Sequence, residues 1–388
     1  MDKDRIFTKE YIVCMAANLL FSINFIGLLT TVSTYAMDVF RSSESAAGFA
    51  ASAVVIGAIP ARLFAARYAL TIGYKRLLTI GLAIASLSTF AYFLADNFII
   101  FCLVRFVNGF AFGLGSNTTT TIVTSIIPKE RSGEGVGYFS MSQIVGTAIG
   151  PYIAIRLLHG AGFDSVFLFT AITPAVALPL MFFLKTQRPD GPEPAQEERL
   201  STFSKFIEVK ALPVAALSFM LYFGLSSIIS FVAVFAATKS LEGPVSWFFA
   251  VYAAGLIATR PFVSKLFDKR GPDPVLYPGI AIYAVSFLLL SGSGTAPMLL
   301  ASAIMCGIGI GAIQAGTLAI VVGLVPRYRL SVANGTYFMA LDASCSIGPS
   351  ITGLLIVGAG FRGMYMIMVA IAACGLLAYY LLYARKNR

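Results

Sequence analysis

One histidine, His159, and one tryptophan, Trp247, occur in 388 residues, and charged side chains make up only 12% of the chain. A lone histidine excludes multi-histidine metal sites, and its place near the outer end of an apolar run suits a surface or capping role. No lysine follows a glycine anywhere, so the phosphate-cradling Gly-Lys-Ser/Thr loop of an ATP-driven motor is absent. The five cysteines, Cys14, Cys102, Cys306, Cys345 and Cys374, all lie inside apolar runs without metal-ligand spacing. They read as small buried residues and imply neither disulfides nor a metal centre. No cofactor is called for, and the chain does not read as an enzyme. A soluble domain is about one quarter charged; this chain is 58% hydrophobic, which makes it a polytopic membrane protein.

Apolar runs of roughly 20 residues or more cross about 30 Å of hydrocarbon. Such runs fall near 11–37, 45–66, 74–95, 97–121, 135–158 and 163–184, and again near 211–237, 244–266, 274–294, 296–323, 333–358 and 361–384. The expected fold is an all-α membrane protein of twelve transmembrane helices in two pseudo-symmetric six-helix bundles, 1–186 and 210–388, joined by a cytoplasmic linker, 187–209. The linker opens with Arg188-Pro189-Asp190-Gly191-Pro192-Glu193-Pro194, suited to a solvated segment, and Phe203 to Val209 is expected as a short interfacial helix. The N-terminus carries charge but no small-residue cleavage site, so the first run is expected as a retained helix.

The net charge of +10 could suggest nucleic acid, but its distribution follows the positive-inside rule. With a cytoplasmic N-terminus, the inner side holds Lys3, Arg5, Lys9, Arg67, Lys75, Arg76, Lys129, Arg131, Lys265, Lys269, Arg270, Arg327, Arg329 and the tail Arg385-Lys386-Asn387-Arg388. The outer side holds little beyond Arg41, Arg156, Lys239 and Arg362. Both termini are therefore expected to be cytoplasmic, in a multi-pass protein of the cell inner membrane. Trp247 is either an interfacial anchor or a packing residue.

A constant offset of 198 positions relates the two halves. It maps Arg62 on Arg260, Phe64 on Phe262, Gly73 on Gly271, Gly109 on Gly307 and Gly113 on Gly311. It also maps Gly137, Met141 and Gly150-Pro151 on Gly335, Met339 and Gly348-Pro349. Internal duplication in a membrane protein points to a transporter built from repeats.

Three stretches resemble the major facilitator superfamily. Arg260-Pro261-Phe262-Val263-Ser264-Lys265-Leu266-Phe267-Asp268-Lys269-Arg270-Gly271 is similar to its loop motif, in which an acid and nearby cations latch the cytoplasmic helix ends. A carboxylate there can face the positive end of a neighbouring helix. The first-half copy, Arg62 to Arg76, keeps Gly73, Lys75 and Arg76 but has Leu70 where the second has Asp268. Alternatively these cations simply mark the inner face. In the fourth run, Arg105-Phe106-Val107-Asn108-Gly109-Phe110-Ala111-Phe112-Gly113 is similar to another family motif. Arg105 lies roughly 12 Å deep, where a guanidinium costs at least ~2.5 kcal/mol. It needs a partner, a wet cavity or helix carbonyls. Its counterpart by the offset is Ala303, which breaks the symmetry. In the fifth run, Gly146-Thr147-Ala148-Ile149-Gly150-Pro151 resembles the motif associated with antiporters. Close packing of helices explains these glycines equally well.

Asp342 is the deepest acid, about 14 Å from the inner end of the eleventh run. It is either a carboxylate that takes up and releases protons or a structural ion pair. Asp342, Arg105 and, more weakly, Asp38 at the outer end of the first run are the proton-coupling candidates. The resemblance places runs 1, 4, 7 and 10 along the central path, where Asn18, Asn24, Asn108, Asn117, Tyr222 and Gln314 are candidate substrate contacts, with Gln143 and Tyr337 on flanking runs. Each could equally be a bond between helices. Thr118 to Thr121 are expected to bond back to helix carbonyls. Gly146, Gly150, Pro151, Gly348 and Pro349 form the pliable seam, alongside the latch residues Arg260, Asp268 and Gly271. The expectation is a monomeric secondary transporter resembling the proton-coupled efflux branch, exporting a small molecule in exchange for protons. The alternatives are proton-coupled uptake of a sugar or organic anion, and a receptor or scaffold that has lost transport.

Overall fold

The computed structural model describes residues 6–185, 203–245 and 247–386. Lys3, Arg5, most of the expected linker, Asn387 and Arg388 lie outside them. Ten helices among the described residues are long and apolar enough to cross a membrane. They are α1 (Lys9–Phe40), α2 (Glu44–Ile72), α3 (Tyr74–Phe90), α4 (Phe98–Ile126), α5 (Ser132–Ala177), α6 (Leu212–Ala237), α7 (Phe248–Arg270), α8 (Asp273–Gly292), α9 (Ala296–Gly323) and α10 (Leu330–Leu382).

Local chemistry sets their ends. The side chains of Thr8, Ser43 and Asn97 accept from the backbone N–H groups of Tyr11, Ala46 and Ile100, which satisfies donors that a helix start leaves open. Proline opens α6, α8 and α9 in the first turn, where its missing N–H costs nothing. Gly73 and Gly271 end α2 and α7 at φ 92° and 78°, a conformation that side chains disfavour. Two further glycines at the same offset, Gly162 (φ 79°) and Gly360 (φ 67°), break α5 and α10 internally. These helices belong to candidate spans of 52 and 56 residues, each long enough for two crossings of about 20 residues.

The chain divides into two compact units. Unit 1 comprises Met1–Pro128, Phe139–Val209 and Val325–Thr336; unit 2 comprises Lys129–Tyr138, Lys210–Leu324 and Tyr337–Arg388. In unit 1, α4 packs against α1, α2 and α3; in unit 2, α9 packs against α6, α7 and α8. Glycine makes both centres possible. A Cβ on Gly109 would stand 1.9 Å from the Val54 carbonyl oxygen, and one on Gly307 would stand 2.1 Å from that of Tyr252. Gly57 against Phe106 and Gly255 against Ile304 repeat the same relation at 2.0 and 2.6 Å. The 198-residue offset thus holds for contacting atoms as well as for letters.

The units depart from the expected boundaries at two short segments. Gly133 and Gly137, at the start of α5, lie against Asp268 and Ser264 of α7, so they belong to unit 2. Gly335, at the start of α10, lies against Arg62 and Ala66 of α2 in unit 1. The expected interfacial helix at 203–209 is instead two 3-10 turns, Phe203–Lys205 and Val209–Ala211.

Candidate functional site

The polar residues of unit 1 are bonded to one another. Asn24 donates to the Thr89 hydroxyl at 3.0 Å and the Thr170 carbonyl at 2.7 Å, and Asn108 donates to Thr89 at 3.1 Å and Ser88 at 3.3 Å. Asn18 donates to Ser142 at 2.9 Å. Asn117 donates to the hydroxyl and carbonyl of Ser331, and that hydroxyl donates to the Ala65 carbonyl at 3.0 Å. All four asparagines are buried, and their bonds join neighbouring helices. The hydroxyls of Thr118 to Thr121 turn back onto carbonyls four residues earlier.

Of the surroundings expected for Arg105, the structure shows helix carbonyls. It is 0% exposed; Nε donates to the Ala50 carbonyl at 3.2 Å and Nη2 to that of Ala51 at 3.4 Å. Carbonyls of α2 thus hold Nε and Nη2, while Nη1 is buried without a hydrogen-bond partner. Asp342 belongs to unit 2, on α10, where it is half-buried and its carbonyl accepts from the Ser346 hydroxyl. Asp38 sits exposed near the end of α1, and Gln143 is half-buried on α5. Gly146 and Gly150 let α5 close on α1: a Cβ there would meet the Ser22 side chain at 2.5 Å and the Ile23 carbonyl oxygen at 3.0 Å. Pro151 follows inside the helix. In unit 2, Gly348 holds the same position against Ser226 of α6, ahead of Pro349.

The acid of the loop motif bonds to a helix start within unit 2. Asp268 accepts from the Gly133 N–H at 2.7 Å through Oδ1 and from the Glu134 N–H at 2.9 Å through Oδ2. A carboxylate thereby caps the positive end of α5. Arg131 forms an ion pair with Glu134 at 2.7 Å beside it. Unit 1 has Leu70 in place of the acid, and Ser331 and Asn117 supply the hydrogen bonds there instead. Lys75 is half-buried and Arg76 exposed after Gly73.

Arg260, expected in the latch, is elsewhere. It is 1% exposed, and its Nη2 donates to Oε1 of Gln314 on α9 in a short contact. The titratable groups near it are the phenols of Tyr222, Tyr337 and Tyr252. Tyr337 shares a hydrogen bond with Thr317 at 3.1 Å. Three expected substrate contacts, Tyr222, Gln314 and Tyr337, therefore converge on one arginine within unit 2.

Sequence reading passed over Glu208. Its carboxylate pairs with Arg329 at 2.6 Å, with side-chain exposures of 8% and 11%. Arg329 also donates to the Ser204 carbonyl at 2.8 Å, and the Glu208 N–H donates to the Thr336 hydroxyl at 2.9 Å. An acid between apolar neighbours in Phe206-Ile207-Glu208-Val209 was the available signal; its partner, 121 residues away, left none.

The Major Facilitator Superfamily sequence model matches residues 14–243 and 214–388. The multi-drug resistance efflux pump PmrA of Streptococcus pneumoniae is 26% identical over 305 residues, covering 74% of each chain. The human organic anion transporter MFSD10 (TETRAN) superposes with a TM-score of 0.82 at 13% identity, covering 95% of this chain and 98% of that one. The proton:xylose symporter XylE superposes with a TM-score of 0.77 at 15% identity, covering 97% and 95%. At such identities the two structures speak for the fold alone.

Proposed function

The chain belongs to the Major Facilitator Superfamily, and from that premise we propose that this multi-pass secondary transporter exports a small molecule across the inner membrane in exchange for protons. In this reading α5 and α10 each cross twice, turning at Gly162 and Gly360, which makes twelve crossings in two six-helix halves with both termini cytoplasmic. The protein works as a monomer.

The observation that carries alternating access is the composition of the units. The sequences of α5 and α10 each begin in one unit and continue in the other. Where they begin, the contacts are hydrogen bonds on glycine-lined backbone: Asp268 with Gly133 and Glu134, and Ser331 with Ala65 and Asn117. Such polar contacts exchange for water at a net cost of about 1 kcal/mol for a neutral pair and roughly 1.5–3 kcal/mol for a bond to a carboxylate such as Asp268. They suit a gate that opens and closes. Export is supported by the efflux-pump relative and by the close approach of α5 to α1 at Gly146 and Gly150.

Asp342 takes the proton-carrying role, whereas Arg105 holds α4 to α2. Everted and right-side-out membrane vesicles, energised with a proton gradient and offered a panel of labelled compounds, test direction and coupling together. Everted vesicles are expected to accumulate substrate, and a protonophore to abolish the accumulation. Asp342→Asn is expected to remove gradient-driven accumulation while leaving exchange intact. Accumulation by right-side-out vesicles alone would establish uptake of a sugar or organic anion instead, and undiminished driven flux in Asp342→Asn would remove that carboxylate from coupling.

A further inference from the structure

Arg260 is a buried cation with most of its hydrogen-bonding capacity unused. Nε and Nη1 are sealed from solvent and have no hydrogen-bond partner, and Nη2 alone is engaged, by Gln314. A guanidinium offers five donors in a planar fork, and burying it without a counter-charge is costly. The titratable groups near it, Tyr222, Tyr337 and Tyr252, are phenols, which carry no charge near pH 7. The site has a place for a negative charge that none of these neighbours supplies.

The repeat sharpens the point. By the 198-residue offset Arg260 corresponds to Arg62 and Gln314 to Ser116, and Arg62 directs Nη1 at the Ser116 hydroxyl at 3.5 Å. The pairing is thus inherited by both units. The phenols are not: Tyr222, Tyr252 and Tyr337 correspond to Asn24, Val54 and Phe139. Unit 2 alone surrounds its arginine with three tyrosines brought from α6, α7 and α10. Gln314 and Tyr252 keep partial exposure, whereas Arg260 is buried.

Building on the transport reading, we propose that Arg260 is the recognition point for the anionic group of the transported molecule, a small organic anion with an aromatic body. The Gln314 amide oxygen occupies the position that a carboxylate oxygen takes when substrate is bound. Gln314 swings aside, the carboxylate receives the guanidinium fork in bidentate fashion, and the tyrosine rings pack against the aromatic body.

The test is thermal stabilisation of the purified full-length protein in detergent by 1-naphthoate and by its uncharged isostere 1-naphthamide. The carboxylate is expected to raise the melting temperature saturably, and the amide to bind at least about tenfold more weakly, since it cannot fill both arms of a charged fork. Arg260→Gln is expected to erase that preference, and Arg260→Lys to weaken naphthoate by about tenfold because a point charge replaces the fork. Equal stabilisation by the two compounds, no stabilisation by either, or a preference that survives Arg260→Gln would overturn the assignment. The comparison of the two probes on the unmodified protein decides the matter even if the variants fail to fold. Vesicle accumulation in the test of export is independent of it, so failure here leaves the transport reading standing.

Discussion

Gly109→Ala and Gly307→Ala are each expected to destabilise the protein by more than about 3 kcal/mol, beyond the usual range for an overpacked core. The reason is what the new methyl group meets. At Gly109 it would stand 1.9 Å from the Val54 carbonyl oxygen, and at Gly307 2.1 Å from that of Tyr252. Both obstacles are backbone, so no rotamer relieves them. The α2–α4 and α7–α9 pairs would have to separate by about an ångström, and in lipid such seams rest on close packing rather than on a hydrophobic driving force. Gly48→Ala and Gly358→Ala, where nothing lies within 4 Å, are the controls; each gains helix propensity of up to ~1 kcal/mol. Thermal unfolding in detergent reads all four. Equal midpoints for the seam and control variants would contradict the close approach that both units share.

Removing the Glu208 carboxylate ranks second. Glu208→Ala leaves Arg329 buried beside the Ser204 carbonyl, and deleting one member of a buried ion pair costs about 3–5 kcal/mol. The lower end of that range applies, because exposures of 8% and 11% leave room for water to reach the remaining charge. The double variant with Arg329→Ala is expected to lose clearly less than the sum of the single losses, since the first deletion already breaks the contact that the second would remove. Additive losses in a double-mutant cycle would show that the pair contributes nothing.

Both features differ in how far sequence announced them. The glycines at 109 and 113 and their partners 198 positions on could be lined up without coordinates; at Gly109, Gly113 and Gly307 the helix crossing leaves no room for a Cβ, whereas one at Gly311 would meet Leu256 at an ordinary 3.5 Å. The helix breaks at Gly162 and Gly360 fall in the gaps between the expected runs, because a positive φ selects glycine. Asp268 was legible as a carboxylate facing a helix start because it stands beside cations at a helix end.

Arg105 and Arg260 were not legible in the same way. A sequence gives the depth of a residue along a helix, but the face it turns to depends on which neighbours pack there. Arg105 meets the carbonyls of Ala50 and Ala51, which every sequence possesses and none advertises. Arg260 looked like one cation among several in a loop motif, whereas α7 carries it inward to Gln314. Tyr222, Gln314 and Tyr337 were chosen singly for polarity in the bilayer; only packing shows that they share a centre. Asn24 and Asn108 were chosen on the same ground, and packing joins them to Thr89 instead.

The claim on which the rest depends is that two repeated units expose one internal site to each side of the membrane in turn. Counterflow in proteoliposomes measures this without any imposed ion gradient. Vesicles loaded with the unlabelled compound that everted membranes accumulate best are diluted into a trace of the labelled form, in the absence of nucleotide. A transient overshoot of label inside the vesicles is the expected result, and it should persist in Asp342→Asn. Label that only equilibrates passively, or that enters only when ATP is supplied, would contradict a transporter of this kind.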